Sequence, residues 1–155
     1  MISYSGCVCG VRRAPYIYFI CKSRFLYIGE TQNIPIFRWS QHLELEGSFS
    51  KALLVRDPEV LQQNSPFYFF SYKCEQICAA AQPIEWKRIT QFVEHQVHVN
   101  VIKNMKMFGR DLEIISDTTR TAPSSCTQAW AGSLSEQILT NFVQDWRQYF
   151  KDLPS

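Results

Sequence analysis

The sequence contains no apolar run approaching the roughly 18 residues needed to cross a bilayer as a helix, so a soluble protein is expected. Nor does MISYSGCVCGVRRAP follow the charged, apolar, small-residue order of a secretory signal, because its basic pair Arg12-Arg13 comes after a short polar-interrupted stretch; a cytoplasmic location is expected. Regular cysteine spacing is also missing. Six cysteines are present, but no disulfide framework is evident, and neither Cys7-x-Cys9 nor Cys74-x3-Cys78 has the two-residue gap common in zinc sites. They read as thiols, used mainly as small buried hydrophobes at strand ends. Net charge is small, +2, and by itself says nothing of nucleic acid. There is no internal repeat, no coiled-coil heptad, and no zinc-finger or helix-turn-helix module.

What is present belongs to one core-forming domain. The 155 residues are 46% hydrophobic and 14% aromatic, enough to bury a continuous core without a staple. Charge is segregated along the chain: residues 1–43 carry five basic residues and one acidic, 44–86 three and six, 87–110 five and one, and 111–155 three and six. Two basic blocks would form one positive face if the fold brings them together.

Tyr16-Ile17-Tyr18-Phe19-Ile20 and Phe25-Leu26-Tyr27-Ile28 are short aromatic and β-branched runs separated by Lys22-Ser23-Arg24 and closed by Gly29, the pattern of a β-hairpin. Asn33 and Pro35 open a helix to about Leu43 that puts Ile36, Trp39 and Leu43 on one face and Arg38 and His42 one turn apart. Residues 48–55 predict a second short helix, and Asp57-Pro58 another turn of helix to about Gln63. PFYFFSYK, residues 66–73, predicts a central strand. Trp86, Ile89, Val93 and Val97 recur at helical steps, predicting a helix from Pro83 to about Val97 with Glu85 near its start and Asn100 in the exit loop. Residues 105–115 are expected to form a hairpin around Gly109, and 116–133 a linker. Ser133 and Glu136 have capping-box spacing before the stripe Leu134, Ile138, Phe142, Trp146 and Phe150, which must be buried against the core or in a homodimer.

Taken together, YIYFI, then LYIGETQNIPIFRWSQHL, then IEWKRITQFVEHQVHVN resembles the GIY-YIG nuclease family over roughly residues 15–101. Tyr16-Ile17-Tyr18 aligns with the first motif and Tyr27-Ile28-Gly29 matches the second without change. Arg38 follows eleven residues after Tyr27, Glu85 aligns with the metal-binding Glu, and Asn100 lies fifteen residues beyond it. His42, one turn after Arg38, is similar to a site-lining His of homing and restriction members. The resemblance implies an α+β fold: a central three-stranded, mostly antiparallel sheet flanked by helices, with a nuclease domain over 1–103, a hairpin and linker over 104–132, and a docking or dimerising helix over 133–153.

It also implies a divalent-metal-dependent endonuclease acting on DNA, with RNA left open. Glu85 would hold Mg²⁺ or Mn²⁺ through one carboxylate. Arg38 would grip the scissile phosphate, Tyr18, Tyr27 or His42 would take the proton of the attacking water, and Asn100 would fix Glu85 or nearby backbone. Lys22, Arg24, Lys87 and Arg88 are candidate substrate contacts. Three positions depart from the pattern: Tyr16 replaces a Gly, Glu30 stands where repair-type members carry a Lys, and Phe49 where some homing-type members carry a second His. Glu75 and Glu94 compete with Glu85. A catalytically idle nucleic-acid- or protein-binding module is the alternative, and a thiol enzyme built from Cys21, His42 and Asn100 is a third reading, although Cys21 has no thiolate-stabilising context.

Overall fold

The computed structural model describes residues 12–109, 111–117 and 129–150. The two aromatic runs form β1 (Tyr16–Lys22) and β2 (Phe25–Thr31), paired antiparallel in a register that sets Tyr18 opposite Gly29. Only Ser23 and Arg24 connect them, and Ser23 takes φ 53, the positive value that lets a two-residue turn follow the strands' twist. The third aromatic run is β3 (Phe67–Lys73), antiparallel to β1 on its other side. Paired on both edges, β1 is buried at every position.

A fourth strand was not anticipated. β4 (Glu113–Ile114) runs parallel to β2, giving the order β3-β1-β2-β4. The expected hairpin around Gly109 is replaced by one 3₁₀ turn, Met105–Phe108, closed by Gly109 at φ 68. Phe108 leaves solvent to meet the rings of Phe142 and Trp146, and its carbonyl accepts from Trp146 Nε1 at 3.1 Å. That burial commits the turn to the core, and the chain passes on to β2 instead of doubling back.

Alternation along β1 and β2 sends side chains to two layers. Ile17, Phe19, Cys21, Leu26 and Ile28 face a large cluster shared with α4 (Pro83–Lys103) and α5 (Trp130–Phe150). Tyr18, Ile20 and Phe25 face a smaller one completed by Trp39 of α1 (Pro35–Leu43) and by Phe49 and Leu53 of α2 (Ser48–Arg56). The helical turn expected at 57–63 is a run of single hydrogen-bonded turns that does not become a helix: the Val60 amide donates to the Asp57 carbonyl and the Gln63 amide to that of Glu59, both at 3.2 Å. The Asp57 carboxylate accepts from the Glu59 amide at 3.1 Å, a local bond that competes with helix, and Val60 is buried. A short helix, α3 (Glu75–Ala80), follows β3 and buries Ile77.

Helix α4 extends beyond the expected Val97, so Asn100 lies on it and not in a loop. α5 begins three residues before the expected cap, and the Ser133 hydroxyl donates to the Trp130 carbonyl at 2.8 Å inside the helix. Its stripe of Leu134, Ile138, Phe142, Trp146 and Phe150 is buried within this one chain. Phe142 stacks on Phe19 with centroids 3.8 Å apart, and α5 packs along α4. Homodimerisation therefore no longer follows from the stripe. Most of the expected linker, residues 118–128, lies outside the described residues. Among the described residues no helix is long and apolar enough to cross a membrane.

Candidate active site

The register of the hairpin explains the Gly of Tyr27-Ile28-Gly29. A Cβ at position 29 would stand 2.4 Å from both Cζ and Oη of Tyr18, so only glycine lets the phenol lie flat across β2. Tyr18 and Tyr27 share the face of the sheet under α1, with centroids 6.5 Å apart and planes 14° from parallel. Tyr18 is buried and Tyr27 half-buried.

His42, on the last turn of α1, is buried above both rings. Its Nε2 is 2.6 Å from the Tyr18 hydroxyl, its Nδ1 is 2.8 Å from Ser48 Oγ, and Ser48 Oγ is 3.2 Å from the Tyr27 hydroxyl. The four groups make one unbroken hydrogen-bonded chain. Burial lowers the imidazole to about 4, helped by the Arg38 charge, so His42 is neutral at neutral pH. Burial pushes the Tyr18 phenol far above its usual range, with Tyr27 adding to the rise; the Arg38 guanidinium, near enough to hydrogen-bond that phenol, opposes it. Arg38 is exposed, one turn before His42, and donates to Gln41 Oε1 at 3.0 Å.

β2 and α4 supply the acidic side, Glu30 from the strand and Glu94 from the helix. Burial raises the Glu30 carboxyl, opposed by bonding to Gln32 and Gln91 and by the charges of Lys87 and Arg38; the Gln32 amide donates to Glu30 Oε2 at 2.5 Å. The negative charge of Glu94 acts on Tyr18. His98, on the same flank, reaches β2 through Ser116: its Nε2 is 2.7 Å from Ser116 Oγ, which accepts from the Ile28 amide at 3.1 Å. Lys87, Gln91, Glu94 and His98, spaced four, three and four residues apart, thus form the flank of α4 turned toward β2.

Glu85 is on the other side. At about 100° per residue, nine residues carry the helix about 180° around from Glu94 to Glu85. The Glu85 carboxylate is engaged at the helix start, accepting from the Gln82 amide at 3.1 Å as half of a capping box. Asn100 shares this far flank and donates to Ser135 Oγ of α5 at 3.1 Å. Of the sequence-derived set, Tyr18, Tyr27, Arg38 and His42 come together, whereas Glu85 and Asn100 make structural bonds elsewhere. Glu75 is exposed and paired with Lys73 at 2.8 Å.

The candidate substrate contacts divide similarly. Lys22 is buried: its ammonium donates to Gln63 O, Ser65 O and Ser65 Oγ at 3.2, 2.7 and 3.2 Å, and lies over the Phe67 ring. Burial lowers its pKa, and its three hydrogens have internal acceptors, so it is a brace between β1 and the loop before β3. Arg24 is exposed and pairs with Glu113 at 3.8 Å. Lys87 and Arg88 are exposed on the first turns of α4. Cys21 points into the α4–α5 layer, across the sheet from His42, with its thiol pushed far up by burial, which removes the thiol-enzyme reading.

Sequence reasoning missed Ser48, which has no motif signal, and Gln91. A helical wheel drawn with α4 starting at Pro83 would have found Gln91 and Glu94, since Lys87, Gln91, Glu94 and His98 form a polar flank on an apolar helix. Among the described residues no three of His, Cys, Asp and Glu converge as metal ligands. A closed zinc-type cage is not assembled from these residues, whereas a hard cation would need only one carboxylate and water; on α4 the Glu94 carboxylate acts on Tyr18 by its charge, as the weakest of the influences there.

No protein-family model, curated protein or solved structure matches the chain.

Proposed function

We propose that the chain is a divalent-metal-dependent endonuclease that hydrolyses DNA phosphodiester bonds on a GIY-YIG-like domain. The observation that carries the reading is the Tyr18–His42 hydrogen bond, with Tyr27 stacked beside it and the charges of Arg38 and, more weakly, Glu94 acting on the Tyr18 phenol. Phosphodiester hydrolysis needs a group to take a proton from water and cations to neutralise the charge that builds on the phosphate. Arg38, exposed at the edge of the cluster, binds the scissile phosphate through its planar fork of donors. The tyrosines and His42 order the water. Glu94, in place of Glu85, would hold Mg²⁺ or Mn²⁺, which when bound supplies positive charge opposite the phosphate oxygens. Lys87, near the site, and Arg88 on the next position are the basic contacts for the flanking backbone.

The test is incubation of the purified chain with supercoiled plasmid and with single-stranded oligonucleotides, in Mg²⁺, in Mn²⁺ and in chelator. Cleavage dependent on metal, and at least about a hundredfold weaker in Arg38→Ala, is expected. Binding to DNA with no cut under any of these conditions would favour the idle nucleic-acid-binding module instead.

A further inference from the structure

Gly47 and Ser48 belong to none of the motifs, yet they complete the site. A Cβ on Gly47 would stand 2.3 Å from the Gln41 carbonyl oxygen and 2.4 Å from that of His42, so glycine lets the chain turn directly against the end of α1. Ser48, the next residue, thereby comes under the imidazole, and Ser50 Oγ donates to the His42 carbonyl at 3.0 Å, tying α2 to the same turn. We propose that Ser48 is a positioning residue that holds His42 in its Nδ1–H tautomer and, by donating to the Tyr27 oxygen, makes Tyr27 the group that takes the proton of the attacking water.

Hydrogen positions follow from counting donors. The buried Tyr18 O–H needs an acceptor, and among the described residues His42 Nε2, at 2.6 Å, supplies one. A neutral imidazole with Nε2 accepting carries its hydrogen on Nδ1, directed at Ser48 Oγ. Ser48's hydrogen then points to the Tyr27 oxygen. Every bond of the chain runs toward Tyr27, and donation to a phenol oxygen stabilises its anion. Tyr18 is held protonated instead: its own hydrogen lies on the bond to His42 Nε2, and burial outweighs the help its oxygen receives from Arg38. Tyr27 first releases its phenolic proton to solvent; in the hydrolytic step an O–H bond of water breaks as its proton passes to the Tyr27 phenolate, which returns it to solvent for the next turnover. The hydroxide forms a bond to phosphorus, the bond from phosphorus to the leaving oxygen breaks, and that oxygen is protonated from solvent.

This rests on the nuclease reading, but the tautomer is measurable without it. In ¹⁵N spectra of the full chain with labelled histidine, His42 should show a protonated Nδ1 and an unprotonated Nε2. Ser48→Ala removes the Nδ1 partner and should reverse the pair, whereas Ser48→Thr, retaining the hydroxyl, should keep it. In cleavage assays Ser48→Ala should lower kcat about tenfold with KM unchanged, Ser48→Thr should recover most of it, and Tyr27→Phe should lose more than Tyr18→Phe. An Nε2–H tautomer in the wild-type chain, or no change in Ser48→Ala, overturns the role of Ser48 even in a protein that cuts DNA. Greater loss in Tyr18→Phe overturns the role of Tyr27. A tautomer that switches as described in a chain that cuts nothing upholds the positioning by Ser48, while the nuclease reading and the role of Tyr27 fall.

Discussion

A methyl group at position 29 has nowhere to go: the Tyr18 ring and hydroxyl already occupy the space, and Tyr18 is itself fixed by its bond to His42. Gly29→Ala should therefore displace the phenol, lengthen or break the Tyr18–His42 bond, and cost about 1–3 kcal/mol, the usual range for overpacking a filled site. Denaturant unfolding measures the cost, and wild-type stability in Gly29→Ala would show that Tyr18 does not lie where described. At this scale Tyr18 and Gly29 each stood out by motif, but Gly29 was expected to close the strand; only the register, with β2 running on to Thr31, shows that it makes room for Tyr18. The sequence was illegible where a charge is hidden. Lys22 reads as a solvent-facing base beside a turn, and only the loop 41 to 43 residues later, with its two carbonyls and one hydroxyl, turns it inward.

Helix α5 joins the molecule through aromatic contacts. Phe142 stacks on Phe19 and meets Phe70 and Phe108 edge-on or tilted, while Trp146 stacks on Phe150. Phe142→Ala should cost about 3–5 kcal/mol, as for other buried Phe truncations. Phe37→Ala, at a side chain 61% exposed on α1, should stay within about 0.5 kcal/mol. Equal unfolding midpoints for the two variants would refute the docked position of α5. Elements with strong periodicity were readable: β1, β2, β3, α1, α2, α4 and α5 all lie close to their expected places. β4 was not, because two residues show no alternation and a parallel partner leaves no turn signal. The helix ends also escaped: the apolar period continues from Val97 to the buried Val101 and α4 runs on to Lys103, which moves Asn100 from a loop to the α5 contact.

For the molecule as a whole, α4 divides the polar residues into two groups. Its flank toward β2 carries Lys87, Gln91, Glu94 and His98, and the opposite flank carries the capping Glu85 and the α5-bound Asn100. Linear spacing selected Glu85, which the helix start at Pro83 makes a cap; the proposal above moves the metal-holding role to Glu94 on the flank toward β2. The convergence of Tyr18, Tyr27, Arg38 and His42 was legible because the hairpin and α1 are contiguous in sequence; which flank of α4 each carboxylate takes was not, since the spacing does not set the rotation of that helix. Parallel cleavage assays on Glu94→Gln and Glu85→Gln, at fixed salt and metal, test the site most directly. Glu94→Gln should cut at least about a hundredfold more slowly while binding DNA as well as the wild type without metal, since a negative charge is removed. Glu85→Gln, which keeps an acceptor for the Gln82 amide, should cut at nearly the wild-type rate. Wild-type cleavage by Glu94→Gln together with a dead Glu85→Gln would contradict the assignment of the site to the β2 flank of α4.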